Sequence, residues 1–250
     1  MQLTCNVANK ILVTNGIERS QAEVLSCKST DLVTAGSETT DTASSANTLP
    51  CKAGALVSEI FGTDPLCEYI LPATLHARQH LLQDNAEMVP YAFTVWAILV
   101  ECPYLRSVAE VGEVNRVNMQ AFNAFAPNKK GVNLSVYDHT VLTAKPVKVT
   151  HINLKTDALE DSMFTKLAID VAVAGRCDAL ICYFDIHLDE EICCSTAPSH
   201  GGANRNNAWS QMAHFPRKRA DDVPVVLNVK AGDTVAMSGG YRDNNFWFSL

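Results

Sequence analysis

Glu59 and Glu68 stand nine positions apart in SEIFGTDPLCE, on either side of a short stretch that carries Gly62 and Pro65. That composition folds a chain back on itself and can bring two carboxylates to one site. Two clustered anions suit a guanidinium better than most ligands, because it stays protonated, offers five N–H donors in a planar fork and meets carboxylates bidentately. A metal cation is the rival, but hard cations usually want more ligands than two glutamates supply. A solvated acidic loop is the plain alternative.

The other chemical constellations are weaker. His76 and His80, at i and i+4 in LHARQH, share a helix face and could ligate zinc, yet Ala77 occupies the place where the metalloprotease signature needs glutamate, so a helix-surface role is preferred. Cys193-Cys194 lacks a second cysteine pair at ligand spacing, and no metal site is expected. Arg217 to Arg219 reads as a solvated basic turn. Trp209, in NNAWSQMAHFP, adjoins a Gly/Asn-rich loop and is either core or a wall of a cleft. The sequence contains no GxG, so the glycine-rich turn that lets a backbone approach a nucleotide cofactor is not found in it.

The elements that must position these residues follow from pattern. Val7, Ile11 and Leu12 predict a helix closed by Asn15-Gly16; AEVLSC (22–27) predicts a strand. The Ser/Thr-rich 37–49 segment has little to bury and reads as a surface loop. KAGALVSEI (52–60) reads as a buried strand of a parallel sheet that delivers the acidic loop at its carboxyl end, where open α/β sheets bind ligands. Pro72 predicts a helix running to about residue 83. After Pro90, YAFTVWAILVE, VNLSVYD, PVKVTHINLK, CDALICYFDIHL and VPVVLNV predict strands separated by polar breaks. The expected fold class is therefore α/β plus β: residues 1–88 form a partial Rossmann-type domain, and residues 89–250 an antiparallel β-barrel-like domain.

Composition sets limits. The 250 residues are 47% apolar, enough for a sizeable core. A formal charge of -7 disfavours nucleic acid as partner and favours a basic ligand. Nine irregularly spaced cysteines fit reduced thiols in a cytoplasmic or nuclear protein. No segment reads as a signal peptide, and the longest apolar stretch, AFTVWAILV, is short of a membrane span.

Taken together, LPCKAGALVSEIFGTDPLCEYILPATLHARQHLL, VPYAFTVWAILVE, DALICYFDIHLDEEICCSTAPS and NNAWSQMAHFP resemble the protein arginine N-methyltransferase family, types seven and nine. The resemblance covers most of the chain, least so at 105–140, where the family carries a dimerisation arm. It implies transfer of a methyl group from S-adenosyl-L-methionine to a guanidinium nitrogen of arginine-containing basic proteins. Glu59 and Glu68 would grip the guanidinium, Trp209 would wall the arginine pocket, and Phe61 would line the floor between donor and acceptor. Ser29 and Thr30 would contact the adenine, with Ser58 also on the cofactor side. A homodimer, or a pseudo-dimer with a second methyltransferase module, is the implied assembly.

Several positions depart from the family pattern. Ala208 stands where many members have histidine, Phe61 where methionine is common, and Tyr69 where glycine is frequent. Residue 1 falls inside the helix after the second family strand, so the chain reads as N-terminally truncated. A degenerate, non-catalytic module acting as scaffold is the alternative reading, against which the retention of both glutamates argues.

Overall fold

A computed structural model describes residues 2–35, 47–198, 209–218 and 223–250. The chain divides into two compact units, Met1–Leu56 with Pro72–Met88, and Val57–Leu71 with Val89–Leu250. The acidic loop, expected in the first domain, thus belongs to the second unit.

In the first unit, helix Gln2–Thr14 closes as its sequence predicts. Asn15 donates to the Ile11 carbonyl through both its backbone and its side chain, and Gly16 takes φ 69, a left-handed conformation that glycine adopts without a steric penalty. The expected 22–27 strand is not formed: the segment is irregular, with no ladder partner among the described residues. Short strands Val33–Thr34 and Thr48–Leu49 pair in parallel instead; the expected 37–49 loop otherwise lies mostly outside the described residues. Strand Ala53–Val57 pairs with Leu82–Val89. It was expected to be buried, but Gly54, Ala55 and Val57 are exposed, because no layer of the described residues covers them. Helix Ile70–His76 passes into a π-helical turn, Ala77–Leu81, and then into Leu82–Val89, so the predicted helix stops short of residue 83.

The second unit is dominated by strands. Ala92–Glu101 and Ala179–His187 pair antiparallel at its centre, with Ile98 opposite Ile181 and Trp96 opposite Tyr183. Both read as near-continuous apolar runs because both of their faces are covered. Val147–Asn153 flanks them on one side, and Gln211–His214 then Lys129–Val132 on the other. A meander of Ser162–Asp170, Thr234–Arg242 and Asn245–Ser249 forms a second sheet. The core on one face of the large sheet gathers Ile98, Val100, Ile181, Tyr183, Leu105 and Phe215.

Two expectations change here. VNLSVYD is a 3-10 turn, Leu134–Val136, following the Lys129–Val132 strand, and a short helix, Pro103–Ala109, follows the central strand with proline in its first turn. Among the described residues the strands form separate sheets and no closed barrel; the fold is mixed α/β, mostly strand.

Candidate active site

The acidic loop is seated by its apolar residues. Phe61 is 2% exposed, its ring edge-on to Phe93 at 5.4 Å and stacked with Phe184 at 5.8 Å between centroids. Leu66 and Ile70 are fully buried. The residues outside this buried frame, Glu59 ahead of Phe61 and Cys67, Glu68 and Tyr69 between Leu66 and Ile70, are exposed.

The turn itself requires glycine. A Cβ on Gly62 would lie 2.2 Å from Cys67 Sγ and 3.6 Å from Glu68 Cγ. Only a residue without a side chain lets the returning limb close on the outgoing one. Cys67 N donates to Asp64 O at 3.0 Å and Tyr69 N to Leu66 O at 2.9 Å, completing the reversal. Tyr69 takes φ 67, a left-handed conformation that costs a residue with a Cβ about 1–2 kcal/mol. That strain explains why glycine suits the position.

Two side chains far away in sequence fix the loop from the strands. Trp209 is half-buried; its Nε1 donates to Phe61 O at 2.7 Å, and its ring is edge-on to Phe184 at 5.9 Å. Asp64, 3% exposed, accepts from Lys129 Nζ at 2.6 Å and from Phe246 N at 3.2 Å on the same oxygen. A buried carboxylate without such partners would be strongly disfavoured.

Glu59 and Glu68 are left over. Both are exposed, and among the described residues neither carboxylate accepts a hydrogen bond or joins an ion pair. The fold-back at Gly62 brings the stem of Glu68 against the outgoing limb, three residues beyond Glu59. Partial desolvation of the Cys67 thiol between them, with Asp64 and Glu68 adding to it, pushes its pKa up from its ordinary value, away from the reactive thiolate.

The remaining expected residues are distributed as follows. Ser58 is half-buried beside Glu59, with its backbone N donating to Val89 O at 2.9 Å. Ser29 and Thr30 lie in the first unit, exposed on the 3-10 turn Ser29–Asp31, their hydroxyls without a hydrogen-bond partner among the described residues. The Phe61 ring belongs to the aromatic core, and its carbonyl is what it offers Trp209. Ala208 lies outside the described residues.

The weaker constellations are placed as follows. His76 Nε2 is committed to Leu32 O at 3.0 Å. Cys193 and Cys194 are exposed on a short strand. Among the described residues no group of three or more His, Cys, Asp or Glu could hold a metal ion, and no helix is long and apolar enough to cross a membrane. Arg217, expected in a solvated turn, is buried, with Nη2 donating to Ala126 O at 2.6 Å. Residue 219 of that run lies outside the described residues. Sequence reasoning missed Asp64, Lys129 and Phe246. Asp64 sits in plain view within the loop motif, but nothing local marks it as the acid that turns inward.

Comparison with known proteins places the chain among arginine methyltransferases. A family model described as the arginine methyltransferase oligomerization subdomain matches residues 92–246. Protein arginine N-methyltransferase 7 of Mus musculus is 38% identical over 227 residues, covering 81% of this chain and 31% of that protein. The Danio rerio protein of the same name is 26% identical over 215 residues, covering 80% of this chain and 30% of its own length. Arginine N(omega)-methyltransferase of Streptomyces achromogenes subsp. streptozoticus is 27% identical over 189 residues, covering 75% of this chain and 49% of that one. The chain thus spans about a third of the vertebrate relatives it matches. Among solved structures, the Trypanosoma brucei PRMT1 enzyme-prozyme heterotetrameric complex with AdoHcy superposes with TM-score 0.61 at 16% identity, covering 80% of this chain and 63% of that one, a likeness of fold.

Proposed function

Since the chain belongs to the arginine methyltransferase family, we propose that it carries the acceptor side of a protein-arginine N-methyltransferase site, which holds a guanidinium for methylation by S-adenosyl-L-methionine. The observation that carries this reading is the pair of carboxylates left uncommitted on a firmly seated loop. Glu59 and Glu68 would bind the guanidinium through its fork of N–H donors and orient one nitrogen, converting a bimolecular displacement into a pre-oriented one. Concentrating electron density on that nitrogen is their electrostatic contribution. Trp209, tied to Phe61 O by its indole nitrogen, would present its remaining ring surface to the acceptor side chain.

On the donor side, Ser29 and Thr30, whose hydroxyls have no hydrogen-bond partner among the described residues, would contact the adenine, and Ser58 would also lie on the cofactor side. When bound, the cofactor supplies an electrophilic methyl group on a sulfonium. Basic, arginine-containing proteins are the substrate class that the acidic loop favours. The barrel-like closure of the second unit, a paired assembly with a like module, and a cytoplasmic or nuclear location belong to the same proposal.

The test is methyl transfer from methyl-labelled S-adenosylmethionine to an Arg/Gly-rich peptide, with a Lys-substituted peptide as control. Label on the arginine peptide alone supports the reading. Equal binding of the two peptides refutes it, and arginine-selective binding without transfer favours the non-catalytic module.

A further inference from the structure

We propose that Lys129 is a positioning residue for the acidic loop, acting through Asp64 to fix the turn from which Glu59 and Glu68 project. The inference rests on the reading of that loop as an arginine grip.

The loop carries three acids, and they are treated differently. Asp64 is drawn inward: Lys129 Nζ lies 2.6 Å from Oδ2, and the Phe246 amide lies 3.2 Å from Oδ2 and 3.4 Å from Oδ1. Lys129 also donates to Asn245 Oδ1 at 3.1 Å. One carboxylate is thereby fastened both to the edge strand Lys129–Val132 and to the terminal strand Asn245–Ser249. Its carbonyl receives the Cys67 amide, so the same residue sets the path by which the chain returns to Glu68.

Charge makes the arrangement purposeful. Three neighbouring carboxylates repel one another, and each would compete for any nearby ammonium. Burying Asp64 against Lys129 pairs that cation internally and leaves the outer pair for an external one. With Lys129 neutralised, Asp64 would be an unpaired buried charge, which drives it toward solvent and takes the turn with it.

Hydrogen exchange on the 250-residue chain tests this directly. In Lys129→Met, the amides of Cys67, Tyr69 and Phe246 should lose about tenfold or more of their protection while Ala92–Glu101 and Ala179–His187 keep theirs. Lys129→Arg, which restores the charge, should recover it. Unchanged protection at those three amides overturns the proposal, as does loss spread equally through the central strands.

Binding of an Arg/Gly-rich peptide and its Lys-substituted counterpart separates the two ideas. If the wild-type chain does not prefer the arginine peptide, the grip reading fails and exchange alone decides on the clamp. If it does, Lys129→Met should weaken arginine-peptide binding about tenfold and Lys129→Arg should restore it. Equal affinity in wild type and Lys129→Met overturns the positioning role.

Discussion

Two acidic clusters of the second unit, each of three residues, are compensated in opposite ways. At the foot of the Pro103–Ala109 helix, Asp178 is fully buried and accepts from Arg106 Nε at 2.9 Å and Nη2 at 3.1 Å and from Cys102 N at 2.8 Å, with Arg176 Nε 3.1 Å away. Its neighbours are also paired, Glu101 with Arg106 and Glu110 with Arg176. In the loop, only Asp64 has a cation, and Glu59 and Glu68 have none among the described residues. Equal numbers of acids thus do unequal work. The helix foot is a closed structural network, whereas the outer two carboxylates of the loop have no internal cation among the described residues, the opening that the proposed guanidinium would fill.

The largest effect that can test the contrast is on transfer. Glu59→Gln keeps shape and removes charge, so arginine methylation should fall by about 10²–10³-fold while the urea midpoint stays unchanged. Turnover near wild type would erase the distinction between the clusters.

Asp178→Asn should do the reverse, lowering stability by about 3–5 kcal/mol because Arg106 and Arg176 lose their buried partner. Urea unfolding measures it. Arginine-peptide affinity, in whatever fraction stays folded, should not change.

Tyr69 offers an intermediate effect on the loop side. Tyr69→Gly relieves the left-handed strain at φ 67 and should stabilise by about 1 kcal/mol, read as a raised urea midpoint.

The pH response of His214, the cross-strand partner of Lys129, sharpens the comparison further. Burial, with the Lys129 charge adding to it, lowers its pKa from 6.5 to about 3. The folded chain therefore refuses a proton that the unfolded chain accepts. Stability from this group is fully present above about pH 6.5 and is lost as the pH falls toward 3, with a slope of up to ~1.4 kcal/mol per pH unit. Unfolding midpoints across that window should decline less steeply in His214→Leu.

The smallest effect belongs to the partly exposed Glu110–Arg176 pair. Glu110→Gln should cost less than about 1 kcal/mol, since solvent screens such pairs.

What could be read in advance was local. The Gly16 cap and the apolar runs that became the central strands are patterns of residues within a few positions of one another, and each formed where its sequence indicated. Elements that depend on remote partners were misread. The 22–27 stretch has strand-like composition but no neighbour to pair with among the described residues, and Arg217 looked like a surface charge until Ala126 supplied a carbonyl. Pro103 after Cys102 was a legible helix start that the surrounding β pattern obscured.

The acidic loop shows where that boundary lies. Its residue types, the glycine that closes it and the charge it offers are properties of eleven consecutive residues, and the sequence alone determined them. Which acid turns inward was decided only in three dimensions, since Lys129 and Phe246 lie 65 and 182 positions from Asp64. A carboxylate is buried only where a cation and an amide meet it, and that meeting is made by strand pairing, not by neighbours in the chain.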